Sequence, residues 1–363
     1  MADAIQNTAN ALFMPWVVAV LLGTGLFLTV RLRFVQFRRI EAGQVQSGPM
    51  YYLRDGLKSP ALAGVYALLA GVGALTTTPF TQPNSIAVAV NAVFGVPTWI
   101  VGVVVALLVA AVVLGGIRWI GRAAEALAPL KVGLYLVGGL VVIVSFADRL
   151  PHVLSLVVSE ALAPRSALGF GLFVAMRYGI ARGVYATEAG YGTAAVAYGT
   201  AKTSDPAQQG LQAVMEVFII SFVTTTLSAL TILVSGVAEQ AIAARQAGEP
   251  FVTSTAAVAA AFDAAVPTVG GWVVAFCVFL FGYMTLTGWA YYGEQFLAFL
   301  FGRRVVLPYR WVYCLLIPLG AVLAPEVVWA WGDLMNALQI FPNVIGLIGL
   351  SAIAAKYATS RVR

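Results

Sequence analysis

Nine apolar stretches follow one another along the chain, at about 12–30, 61–94, 97–117, 130–147, 167–200, 207–238, 269–301, 307–324 and 327–355. Each is close to or above the roughly 20 residues that a helix needs to cross a hydrocarbon core. A backbone inside lipid must satisfy its own hydrogen bonds, which leaves only helices or a closed barrel. Leu, Ala, Val and Gly run here without strict alternation, and several stretches are too long for barrel strands. The expectation is an all-α polytopic membrane protein with about nine transmembrane segments. Hydrophobic residues make up 61% of the 363 residues and charged ones 10%, against about 25% charged in an average soluble domain. No water-soluble core of this length hides so much apolar surface, so a soluble enzyme and a disordered chain are excluded. The net charge of +6 fits basic loops beside a bilayer rather than a nucleic-acid partner. With no soluble domain or linker in view, residues 1–363 read as one transmembrane domain.

Loop charges orient the chain. With the N-terminus outside, 16 Lys and Arg fall inside, three (Arg149, Arg165 and Arg245) fall outside, and Arg177 and Arg182 lie within 167–200. That bias predicts N-terminus outside and C-terminus inside. The opening MADAIQNTANALF has no basic run, so the first stretch is expected to remain as an anchor. Cys277 and Cys314 lie in apolar stretches and read as buried small hydrophobes, and the single His152 as a solvated loop residue.

Polar residues inside spans are costly, so they mark candidate sites. The richest stretch is 167–200, with Arg177, Arg182, Glu188 and glycines 179, 183, 190, 192 and 199. At 34 residues it exceeds one straight crossing. Residues 181–192 have poor helix-interior character, and a broken helix is expected, with one half up to about Ile180, an unwound middle and a second half from about Glu188 onward. Freed N–H groups would suit a carboxylate and freed carbonyls would suit Na⁺. In 61–94, TTTPFTQPNSIA (76–87) sets Gln82, Asn84 and Ser85 around Pro79 and Pro83. Uncharged donors and acceptors of this kind suit a small zwitterion, or else a polar helix–helix contact. The Gln82–Asn84 cluster is expected to face the Thr187–Gly190 bend at mid-membrane. Trp289, beside Thr285 and Thr287, walls a pocket or belongs to an interfacial aromatic belt. Glu216, Asp333, Asn336 and Asn343 complete the intramembrane polar set. No metalloprotease, Ser–His or paired-aspartate motif is present, and the chain reads as a transporter rather than an enzyme.

Several strings together resemble one family. They are LLGTGLFLTVRLRFVQF (21–37), SGPMYYL (47–53), TQPNSIA (81–87), RGVYATEAGYGTAA (182–195), AKTSDPAQQGLQAVMEVF (201–218), TGWAYYGE (287–294) and DLMNALQIFPNVIGL (333–347). They resemble the alanine/glycine:cation symporters, also called sodium:alanine symporters. The resemblance implies a leucine-transporter-type fold of two inverted repeats. Residues 12–30 would be a peripheral first helix, 61–147 the remainder of the first repeat and 167–355 the second. It implies Na⁺-coupled symport of alanine or glycine across the inner (plasma) membrane, with Na⁺ as coupling ion and no organic cofactor or resident metal. By the same resemblance, Gln82 and Asn84 would help hold the substrate's amino end. Gly183, Thr187, Glu188 and Gly190 would form the broken-helix backbone, and Trp289 the pocket wall. Thr285 and Ser85 would serve Na⁺. The sequence departs from the family at Thr187 (usually Asn), Ile220 (usually Asp), Met284 and Pro79. After RFVQFRRI (33–40) it passes directly to EAGQVQSGPMYYL, without the hairpin that carries a G-T-G-N-I-x-G-V-A-type motif in the family's first broken helix. The alternative implied is a transport-inactive family member or a membrane scaffold.

Overall fold

The computed structural model describes residues 4, 5, 7, 8, 39–41, 44–162, 170–188, 190–200 and 206–353. The expected span 12–30 lies outside the described residues. A two-stranded antiparallel ribbon, Arg39–Glu41 against Gln44–Gln46, spans the junction at residue 40. The short helix Pro49–Tyr51 then runs into a π-helical turn, Tyr52–Gly56.

The remaining described chain is helical. α1 (Pro60–Thr76) and α2 (Thr78–Phe94) form one rod with a fault at Thr77. Pro79 lies in the first turn of α2, where its missing N–H costs least. α3 (Thr98–Val113), α4 (Ile117–Ser145) and α5 (Leu150–Leu162) follow. α6 (Phe170–Thr187) ends in a bend before the one-turn α7 (Ala194–Tyr198). α8 (Pro206–Phe218) joins α9 (Thr225–Val234) through a π-helical turn. α10 (Val237–Ala247) and α11 (Ser254–Ala265) precede α12 (Val269–Phe301), α13 (Val306–Val322) and α14 (Pro325–Gly349).

By length and composition, five described helical runs can cross a membrane. These are Pro60–Phe94, Trp119–Ser145, Gln212–Val234, Val269–Phe301 and Arg303–Val322. α3, α5 and α11 are shorter apolar helices. Two details differ from the sequence expectation. α4 begins at Ile117 rather than near 130, so Arg118, Arg122 and Lys131 are not loop charges; the Lys131 Nζ sits 4.7 Å from the Phe281 ring centre. Arg310 also lies within a helix, α13, paired to Glu294.

Small residues let the helices close on one another, as van der Waals contact in lipid requires. A methyl at Gly320 on α13 would run into the backbone of Pro79 and Phe80 on α2. One at Gly102 on α3 would meet Ala321 and Pro318 of α13 at 2.7 and 2.9 Å. Along α13, Tyr309, Tyr313, Ile317 and Ala321 are buried at helical spacing, while Leu307, Leu315 and Leu319 are exposed on the opposite side. α1 is held between α12 and α14, with Gly71 against Leu297 and Gly73 against Gln339. Tyr66, Ala70, Trp289, Phe296 and Ile340 form the core beneath the α6 bend.

Candidate functional site

The α6 bend is the centre of the polar interior. Helix ends at Thr187 and resumes at Ala194. Gly190 and Gly192 take φ of 91° and 88°, and Glu188 takes 53°. Glycine adopts such angles freely, whereas a glutamate does so only when its surroundings hold it. The Glu188 carboxylate accepts from Thr193 Oγ1 at 2.8 Å and from Trp289 Nε1 at 2.8 Å. Asn343 Nδ2 donates to the Gly190 carbonyl at 2.8 Å, and Tyr66 Oη to the Tyr191 carbonyl at 2.6 Å. Tyr52 in turn donates its hydroxyl to Asn343 Oδ1. The bend is thus held from α1, α12, α14 and the π-helical turn together.

The unwound middle was expected between about Ile180 and Glu188, but residues 181–187 are helical and the described opening is at 188 and 190–193. The reason is local. Ala181, Arg182 and Ala186 favour helix, and Gly183 is tolerated there, with open space where a Cβ would stand. The break comes where Gly190 and Gly192 can both take positive φ.

Of the other sequence candidates, Thr187 Oγ1 donates to the Gly183 carbonyl at 2.8 Å. Asn84 is buried, and its amide donates to the carbonyls of Gly320 (3.1 Å) and Leu323 (2.7 Å). It therefore ties α2 to α13, the helix–helix contact that the sequence left open, while the groups meeting the bend come from Tyr66, Trp289 and Asn343. Gln82 is half-buried, with its backbone carbonyl toward Gly282 of α12. Ser85 Oγ donates to the Thr81 carbonyl at 2.9 Å and Thr285 Oγ1 to the Phe281 carbonyl at 3.0 Å. Trp289 is 6% exposed, so it belongs to the interior and not to an aromatic belt. Its ring lies 6.1 Å from Tyr191 and 5.6 Å from Tyr292, centre to centre. Tyr198, just past the bend, donates its hydroxyl to Glu216.

Two ion pairs were not read from the sequence. Arg182 Nη2 is 2.5 Å from both oxygens of Asp333, and its guanidinium lies 4.7 Å from the Trp329 ring centre. Arg310 pairs with Glu294 through two bonds, Nε–Oε1 at 2.7 Å and Nη2–Oε2 at 2.9 Å. Each charge was visible alone; the available signal was that an Arg and an acid in separate spans need partners. Among the described residues, no group of three His, Cys, Asp or Glu side chains could hold a metal ion.

Comparison with known proteins identifies the family. The model of the sodium:alanine symporter family matches residues 38–361. An uncharacterised transporter of Haemophilus influenzae is 32% identical, over 97% of this chain and 77% of that protein. The sodium/alanine symporter AgcS of Methanococcus maripaludis is 31% identical, over 95% of this chain and 75% of its own length. The probable sodium/glutamine symporter GlnT of Bacillus subtilis is 28% identical, over 95% and 70%. With membrane-length helices, a glycine-opened bend in the polar interior and this match over nearly all of its length, the chain belongs to the sodium:alanine symporter family, a family of transporters.

Proposed function

We propose that this chain carries out sodium-coupled symport of a small neutral amino acid, alanine or glycine, across the inner (plasma) membrane. The observation that carries the reading is the α6 bend, an opened backbone within an otherwise apolar helix bundle. Opened backbone at membrane depth is tolerated where it is buried in protein or lines a binding cavity. In this reading Glu188 and Gly190 present the substrate with backbone, Gln82 serves its amino end, and Trp289 limits its size, while Gly183 and Thr187 stay within the closed helix and Asn84 ties α2 to α13. Ser85 and Thr285 each give their proton to their own helix. Their oxygens keep lone pairs for Na⁺. The orientation, N-terminus outside and C-terminus inside, follows the charge bias, and the inverted repeats follow the family resemblance.

A neutral amino acid moving with Na⁺ carries net charge, worth about 2.3 kcal/mol per 100 mV. Labelled alanine uptake into proteoliposomes is expected to rise with an inward Na⁺ gradient and again with an inside-negative potential. Uptake indifferent to both would refute the coupling.

A second reading is supported by the junction at residue 40 and by the length of the relatives. The matches leave 23–30% of those proteins unpaired, in keeping with an absent hairpin. Asn343 and Tyr66 already occupy two of the bend's carbonyls. In this reading the chain lacks half of its carboxylate and Na⁺ ligands and transports poorly or not at all. A loss of about 4 kcal/mol in donors is about a thousandfold in affinity, which puts alanine binding at millimolar or weaker. Inserting a relative's hairpin between Ile40 and Glu41 is expected to restore Na⁺-dependent binding, since an even number of spans preserves topology. Micromolar, Na⁺-dependent binding by the unmodified chain would rule this reading out.

A further inference from the structure

Lys131 is a cation at membrane depth with no acid to meet it. It is the middle residue of α4 (Ile117–Ser145), about 21 Å from either end. It is half-buried, and its ammonium rests over the ring of Phe281, 4.7 Å from the centre. Phe281 itself lies about 18 Å from one end of α12 and about 30 Å from the other. Arg182 is held by Asp333 and Arg310 by Glu294, whereas among the described residues no carboxylate pairs with Lys131. The helices packed on α4 are α3, α9, α11 and α12. α3 and α9 carry no ionisable side chain. α11 carries only Asp263, whose carboxylate accepts from the Gly271 N–H at 2.6 Å. On α12, Cys277 is buried one turn before Phe281, Tyr283 donates to the Leu108 carbonyl, and Glu294 is taken by Arg310. On α4 itself, Glu125 is exposed six residues earlier, and Tyr135 follows one turn on. The Tyr135 ring meets Phe281 edge-on at 5.9 Å, and its hydroxyl lies 2.6 Å from Ser228 Oγ.

We infer that the Lys131 amine is a proton-binding site of the transport cycle, so that the amino acid moves with a proton as well as Na⁺. The amine lone pair takes a proton from water on one side of the membrane. The same N–H bond breaks to water on the other side, and no other group changes. The surroundings leave both forms open. The face of Phe281 attracts the ammonium, while a charge without a counter-charge at this depth is costly. A carboxylate would lock the cation in place, as Glu294 does for Arg310, and here there is none. Lysine passes between the two forms, whereas arginine stays charged. Thr285 donates to the Phe281 carbonyl at 3.0 Å and so lies one turn further along α12. A charge gained or lost at Lys131 is therefore felt, without contact, near the oxygen proposed for Na⁺. The inference rests on the proposed symport and adds a second coupling ion to it.

The test uses the full chain in proteoliposomes that hold a pH-sensitive dye, with equal Na⁺ on both sides and the voltage clamped at zero. Labelled alanine uptake is followed in parallel. Alanine added outside is expected to acidify the interior. An outside one pH unit more acidic should raise alanine accumulation about tenfold. Lys131→Met removes the charge, and Lys131→Arg keeps it but cannot release it. Both variants should lose the acidification, and whatever uptake an Na⁺ gradient drives in them should ignore the pH difference. Lys131→Met should melt at the parent's temperature or above, because it removes a desolvated charge. Acidification that persists in either variant overturns the inference, and in Lys131→Arg it would show that only a fixed charge is needed. Alanine uptake by the unmodified chain without acidification overturns it too, and leaves the proposed symport standing. If neither gradient drives any alanine uptake, the proposed function falls and this inference with it.

Discussion

Glu294→Ala is expected to produce the largest loss of stability among single side-chain truncations in this fold. Glu294 is 4% exposed on α12, and the Arg310 side chain is 17% exposed on α13. Arg310 also reaches the Leu114 carbonyl at the end of α3, at 3.4 Å. One guanidinium therefore joins three helices. Removing the carboxylate leaves that cation in an apolar seam, at a cost of about 3–5 kcal/mol. The same physics predicts recovery: in Glu294→Leu with Arg310→Met no charge remains to be desolvated, and stability should return to within about 1 kcal/mol of the parent. Thermal unfolding of purified protein in one detergent checks both. A double variant as unstable as the single one would mean that geometry, and not the stranded charge, sets the cost.

The second large effect is expected at Asn343→Leu. Asn343 donates to the Gly190 carbonyl and accepts from the Tyr52 hydroxyl. Leucine keeps the approximate volume and removes both bonds, leaving a carbonyl and a phenol buried without partners. Two such losses amount to about 2–4 kcal/mol. The damage should also be local. Hydrogen exchange across 188–193 should accelerate more than exchange in α13, which Asn343 does not touch. Uniform acceleration along the chain would show that Asn343 supports the whole bundle rather than the bend.

Much of the architecture was legible from hydropathy alone. The stretch 269–301 coincides with α12, and 307–324 and 327–355 lie within a few residues of α13 and the start of α14. Long apolar runs declare their length because lipid demands it. α5, α10 and α11 were not foreseen, because short helices leave no such signature. The bend was foreseen but placed too early, since Gly183 was weighed like Gly190 and Gly192, although only the latter pair takes positive φ. Asn84 could not be resolved between a ligand and a tie. Its partners are carbonyls more than two hundred residues away on α13, and which face of α2 meets α13 is decided by helix order and rotation. The same holds for Arg182 and Asp333, which are 151 residues apart. Trp289 was left open for a different reason, because an indole near a helix end suits an interface and a core equally well until its burial is known.

The glycine contacts along α13 also govern how this sequence can drift. Where Gly320 lies on the backbone of Pro79 and Phe80, and Gly102 on Pro318 and Ala321, any larger side chain must push two helices apart. On the far side of α13, Leu307, Leu315 and Leu319 face outward, where one apolar side chain can replace another at little cost. In a saturation library of residues 306–322, survivors should therefore trace a stripe with a repeat of about 3.6 residues. Codons for the seam should stay nearly fixed, and those for the outer face should wander among hydrophobic choices.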